Sequence, residues 1–335
     1  MHLQIILIVI LGSGLMLLIF FVVRVILFPR RVEVVSNLLK QGKTAHAIRV
    51  LRKILHREPR SVDAHYFLGL AYLADQRPEL ALMELRTVNQ IGRFTDHCKE
   101  VPFRKQIAEL FIKAHQTEEA LKEYLLLINA QPQEPTHYYH AGTLFEERSQ
   151  TEMAANYYQK AIELNGRYSD AHWKLGVILS RQRKPSEARR ELELAVEYDR
   201  GNLSAYFQLG RLLKEDHEYG AALKAFEKAV QDPALKAKAL VERGTCYMTM
   251  SNYERAIPEL ERALRSCKDG NTDSLYGMYF LALCYERIRE IEKAIHLWES
   301  IYNTQSTFRD VAEKLNQYKE LRADAAVLNL ACFER

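Results

Sequence analysis

Two nine-residue stretches, AHWKLGVIL at Ala171–Leu179 and AYFQLGRLL at Ala205–Leu213, carry the same phrase thirty-four positions apart. Each centres on a Leu-Gly pair flanked by large apolar side chains at helical spacing. Aligning the chain on that glycine gives Gly69, Ala108, Gly142, Gly176, Gly210, Gly244 and Ala282, and the four steps from Ala108 to Gly244 are all of that same length. A second series, Ala47, Ala81, Ala120, Ala154, Ala188, Ala222, Ala256 and Ala294, lies twelve residues after the first and has one earlier member. Self-similarity at such a period marks an array of stacked supersecondary units.

Small residues at fixed phase have a physical reason: Gly or Ala lets two helix backbones approach where a larger side chain holds them apart. Large apolar residues recur around them. Leu68, Ile107, Leu175, Leu209 and Leu281 precede the first series, and Leu85, Leu192, Phe226, Leu260 and Trp298 lie four residues after the second. Short polar turns, such as Gln116-Thr117-Glu118 and Arg183-Lys184-Pro185, separate the two halves of a unit. The pattern predicts repeated helix–turn–helix pairs.

AHYFLGLAY, YYQKAIELN and AIPELERAL resemble the first and second helices of the tetratricopeptide repeat family, over about Phe28 to Thr304. That resemblance implies an all-α, right-handed solenoid of about seven or eight repeats, non-catalytic and built to hold protein or peptide partners. The chain departs from the family at Val35, where a small residue is usual. It also carries insertions at Gly92–Val101 (GRFTDHCKEV) and at DGNT before the eighth unit. The expected layout is an anchor at 1–29, an atypical first repeat at 30–61, repeats two to eight at 62–306, a capping helix at 307–323 and a tail at 324–335.

The anchor expectation rests on Ile5–Val23, nineteen residues without a charge, about the length that crosses a bilayer as a helix. Downstream stand Arg24, Arg30, Arg31, Lys40, Lys43, Arg49, Arg52, Lys53, Arg57 and Arg60 against only Glu33 and Glu58, while no Lys or Arg lies upstream. Such a bias predicts a single-pass bacterial inner-membrane protein with its repeats in the cytoplasm. This layout is similar to membrane-anchored repeat proteins that regulate lipopolysaccharide assembly, but the paired CxxC motifs of their metal module are missing. Repeats exported to the outer side, serving envelope assembly or ligand binding, are the alternative.

A formal net charge of +4, from 47 basic and 43 acidic side chains, gives no footprint of a nucleic-acid binder. Five scattered cysteines form no CxxC pair or disulfide framework. In the family pattern, the residue three before each small position lines the concave face: Tyr66, Lys105, Tyr139, Trp173, Phe207, Val241 and Tyr279. Five of the seven are aromatic, either a partner-binding ladder or packing between repeats. Trp173 is the expected anchor, and Arg181, Arg211 and Lys214 the basic flank. His137 and His140 are spaced like metal ligands but have no third partner. No phosphate loop or nucleophile motif occurs, so no enzyme, cofactor or metal is expected; partner identity and oligomeric state stay open.

Overall fold

The computed structural model describes residues 29–267 and 270–318. Within them lie α1 (Pro29–Lys40), α2 (Thr44–Arg57), α3 (Val62–Ala74), α4 (Pro78–Ile91), α5 (Glu100–Lys113), α6 (Thr117–Ala130), α7 (Pro135–Glu147) and α8 (Thr151–Leu164). They continue as α9 (Ser169–Arg181), α10 (Pro185–Tyr198), α11 (Leu203–Glu215), α12 (Tyr219–Ala229), α13 (Lys236–Thr249), α14 (Tyr253–Ser266), α15 (Thr272–Arg287) and α16 (Ile291–Thr304). Residues 311–318 are also helical, and no strand occurs among the described residues. The expected anchor lies outside them except for Pro29, which opens α1, and so do the tail and the end of the capping helix. No helix among the described residues is long and apolar enough to cross a membrane.

The chain forms two compact units that divide between Ala154 and Ala155, inside α8. An odd-numbered helix and the even-numbered one after it are the two halves of a repeat. Helix α1 is fully formed despite its atypical sequence, with Val35 wholly buried against Ala47 and Leu51.

The glycines show why the period exists. A Cβ added at Gly69 would lie 2.8 Å from the Leu85 side chain, one at Gly176 2.8 Å from Leu192, one at Gly210 2.7 Å from the Phe226 ring and one at Gly244 2.6 Å from Leu260. Each of these partners is at most 1% exposed. The missing side chain of the first helix is therefore the space its partner's large residue fills.

Every helix pair turns the same way. Gly42 occupies the left-handed region with φ 72°, and the equivalent residue of each later repeat does so without being glycine: Gln76, His115, Ser149, Arg183, His217, Ser251 and Arg289, with φ between 56° and 65°. Around Arg183, the Lys184 N–H donates to the Leu179 carbonyl at 3.0 Å and the Arg183 N–H to that of Ser180 at 3.1 Å. These two bonds close the helix end and hold the strained residue in place. Proline then opens the second helix at Pro78 and Pro185, where its missing N–H costs nothing.

Two glycine substitutions on successive helices separate propensity from packing. Gly210→Ala forces a methyl into the Phe226 ring and is expected to destabilise by about 1–2 kcal/mol, since overpacking outweighs the helix preference of alanine. Gly220, with nothing within 4 Å of an added Cβ, gains up to about 1 kcal/mol as Gly220→Ala. Thermal melts by circular dichroism should shift in opposite directions.

Candidate partner-binding groove

In the second unit, side chains from α11, α13 and α15 converge on a groove of about 590 Å³. Its apolar floor is Phe207, Val241, Tyr276 and Phe280, and its polar wall carries Gln208, Arg211, Lys214, Lys238, Glu242, Thr245, Asp273 and Arg309. Four basic groups thus face two carboxylates. Lys214 is engaged: its Nζ lies 2.7 Å from Glu242 Oε2 and donates to Thr245 Oγ1 at 2.7 Å. Arg211 and Lys238 are exposed and, among the described residues, have no ion-pair partner.

Arg309 enters from the segment before the terminal helix. Its guanidinium carbon lies 4.9 Å from the Tyr276 ring centroid, 4.6 Å from that of Tyr279 and 5.4 Å from that of Phe280. A cation over three rings offsets the cost of its left-handed backbone, φ 47°. The same segment buries Phe308, Val311 and Leu315 against α15 and α16. It covers the apolar edge that the last pair would otherwise expose.

The expected ladder divides into three kinds of residue. Phe207 lines the groove, although its ring is 7% exposed and packs edge-on to Phe226 at 5.8 Å. Tyr279 does not reach the groove surface. Its hydroxyl donates to Asp310 Oδ1 at 2.8 Å, its ring packs against Trp298 and Phe308, and burial raises its pKa. Trp173 on α9 is half-buried, with the Lys174 ammonium 5.1 Å from its ring centroid and a buried Nε1 that has no hydrogen-bond partner. Arg181, at the end of α9, is exposed.

In the first unit, Tyr66 is half-buried between Phe67 and Phe103, and burial followed by nearby Cys98 raises its pKa. The insertion packs against these same two rings. Residues 92–99 fold back so that Phe94 packs on Phe103, the Arg104 guanidinium sits 5.3 Å over Phe94, His97 meets Phe67 and Thr95 bonds to Asp63. Lys105 is exposed, and Tyr139 meets His140 edge-on at 5.5 Å.

His137 and His140 act as core groups. His137 Nε2 lies 3.2 Å from Gln131 Oε1, and His140 stacks on Tyr124 with centroids 5.0 Å apart. Burial, reinforced by Lys105, lowers both pKa values, while Glu134 opposes at His137 and Glu109 at His140. Among the described residues no three His, Cys, Asp or Glu side chains gather as a metal site requires. Burial pushes the thiols of Cys98 and Cys284 up to about 12 and that of Cys246 to about 11, far from nucleophilic range.

The helix-pair seams carry polar ties that periodicity does not announce. His65 Nδ1 lies 2.6 Å from Glu84 and its Nε2 2.9 Å from the Pro59 carbonyl; His172 repeats this with Glu191 at 2.6 Å and the Gly166 carbonyl at 3.1 Å. At the same place in the third repeat, Arg104 Nη1 donates to buried Glu123 at 2.8 Å. Sequence reading also missed Lys238 and Tyr276. Both stand one helical turn before a ladder position, a spacing that puts them on its face.

The sequence model of the tetratricopeptide repeat matches residues 35–86, 139–205 and 207–272, more than half of the chain. The chain belongs to the tetratricopeptide repeat family. The unmatched stretch between the first two segments contains the insertion. Solved structures agree on the fold. A tetratricopeptide repeat protein from Parabacteroides merdae is 14% identical with a TM-score of 0.52, over 76% of this chain and 97% of its own. YrrB, described as having an unusual peptide-binding site, is 18% identical at TM-score 0.51, over 58% and 97%. The Cut9-Hcn1 structure of the APC/C is 14% identical at 0.55, over 82% of this chain and 52% of its own. No curated protein matches by sequence.

Specific histidine labelling tests the electrostatics of the first unit. The His137 and His140 imidazoles should titrate with midpoints below 6.5. The unfolded chain then takes up protons first as pH falls through that value, so both residues contribute less to stability at pH 5 than at pH 7. Midpoints above the ordinary histidine value would show that the carboxylates, not burial, dominate.

Proposed function

We propose that this protein is a non-enzymatic, membrane-tethered scaffold that recruits a partner protein through the groove of its second unit. The tether is the uncharged run Ile5–Val23, and the basic flank after it favours repeats on the cytoplasmic side of a bacterial inner membrane. The observation that carries the recruitment is the pairing of unmatched cations, Arg211 and Lys238, with an aromatic floor in one groove. An extended segment with an acidic residue beside an apolar one fits it: the carboxylate meets the cations, and the apolar side chain covers Val241 and Tyr276. YrrB supports peptide binding within the fold only. Within the second unit, Trp173 and Arg181 extend the proposed contact surface beyond the groove; Lys105 and Tyr139 are candidate contacts of the first unit, and Tyr66 and Tyr279 serve packing.

Charge reversal at the groove rim tests this without touching the core. A photo-crosslinker at Gln208 should capture a partner in native membranes, and Arg211→Glu with Lys238→Glu should reduce capture at least about tenfold, as loss of charge-assisted contacts does. The melting transition should be unchanged. Unaltered capture would sink the groove assignment.

Sidedness is read from one introduced thiol in a chain carrying Cys267→Ser and Cys332→Ser, because Cys98, Cys246 and Cys284 are wholly buried. Glu227→Cys, exposed on α12, should resist an impermeant maleimide in intact cells and react after lysis. Labelling of intact cells would place the repeats on the outer side.

A further inference from the structure

The second helix of the first repeat, α2, reads TAHAIRVLRKILHR and contains no carboxylate. Ala47, Ile48 and Leu51 face the core. On the opposite side His46, Arg49, Lys53, His56 and Arg57 are exposed, and their spacing gathers them on one face. Arg52 turns away from that face and donates through Nη2 to the Tyr72 hydroxyl at 2.8 Å.

Several other basic residues of this chain have acids one turn away. Lys122 lies 3.6 Å from Glu118, Lys160 3.0 Å from Glu163, Arg189 2.8 Å from Glu193 and Lys293 3.5 Å from Glu290. Arg49, Lys53 and Arg57 have no ion-pair partner among the described residues. They stand four residues apart, the spacing at which like charges repel along a helix. Among the described residues no ion pair relieves that repulsion, whereas an external sheet of anions would.

We infer that the exposed face of α2 binds an anionic lipid surface through the phosphates of its headgroups. Position favours a membrane over a nucleic acid: twenty residues separate α2 from the uncharged run Ile5–Val23. A flat, single-signed face of three cations and two histidines matches a charged bilayer, and no aromatic side chain is interleaved with it for stacking on bases. The inference goes beyond the tether, which would hold the chain on any bilayer. The face of α2 adds a preference for negative headgroups and lays the first repeat against them.

The full chain tests it, with Cys267→Ser and Cys332→Ser and an environment-sensitive dye on Ala45→Cys, an exposed site bordering the basic face. In vesicles holding about 30% phosphatidylglycerol the dye emission should shift to the blue, and about 0.5 M salt should reverse the shift. In pure phosphatidylcholine it should not shift. Each basic side chain near such a surface strengthens binding roughly fivefold, so Arg49→Glu, Lys53→Glu and Arg57→Glu together should weaken the response about a hundredfold. The same charge change at Lys224 and Lys228 on α12 should leave it intact. Equal shifts in both vesicle types, a triple variant that behaves as wild type, or transfer RNA that displaces the chain from vesicles at equimolar levels would each overturn the inference. Failure of the tether reads differently: the chain would leave phosphatidylcholine vesicles while its response to phosphatidylglycerol persisted.

Discussion

The structure depends on one contact made again and again: a large apolar side chain of the second helix seated over a residue without a side chain in the first. Leu85 over Gly69, Leu192 over Gly176, Phe226 over Gly210 and Leu260 over Gly244 are versions of it. Dispersion and burial at this point set the distance between helices, and ridges packed at that distance set their angle. Everything else in a repeat is arranged around keeping that contact in register. The turn is closed by two backbone bonds, so its sequence is free, and seven polar or charged residues occupy the left-handed position that glycine would fill most easily.

Because that contact needs particular residue sizes at a particular phase, it is legible in the sequence, and with it the fold. The terminal segment shows the same logic, since Phe308, Val311 and Leu315 recur at helical spacing. Functional surface is harder to read. The family pattern turns the position three before the small residue toward the groove throughout, but burial at that position is decided by neighbours far away in sequence. Tyr279 is sealed by Phe308 and Asp310, and Tyr66 packs on Phe103, a ring also covered by Phe94 of an insertion that has no periodic signature. Lys214 reads as an available cation until Glu242 is found 2.7 Å away. Arg309 has no repeat position at all, and only the docked terminal segment brings it over Tyr276 and Tyr279.

Charge is distributed between the units in two different manners. In the second, cations and anions are interleaved, and two unpaired cations, Arg211 and Lys238, share one groove with an aromatic floor. In the first, α2 keeps a face of one sign on the exterior. The first arrangement suits recognition of a short segment, where a few directed contacts select a partner. The second suits a surface, where summed potential matters more than the direction of any bond.

The spacing between the two helices of a repeat never varies: twelve residues separate the small positions in all eight units, from Val35–Ala47 to Ala282–Ala294. From one repeat to the next the step is twenty-two positions, except for twenty-seven after Ala81 and twenty-six after Ala256. Growth of the chain has therefore been admitted at only one of the two kinds of bend. The hydrogen-bonded turn within a pair cannot lengthen without unseating the glycine contact, whereas a loop between pairs closes at little entropic cost whatever its length. Lineages of such proteins should diversify at that kind of bend, and the insertion that lays Phe94 on Phe103 is an example of what it can acquire.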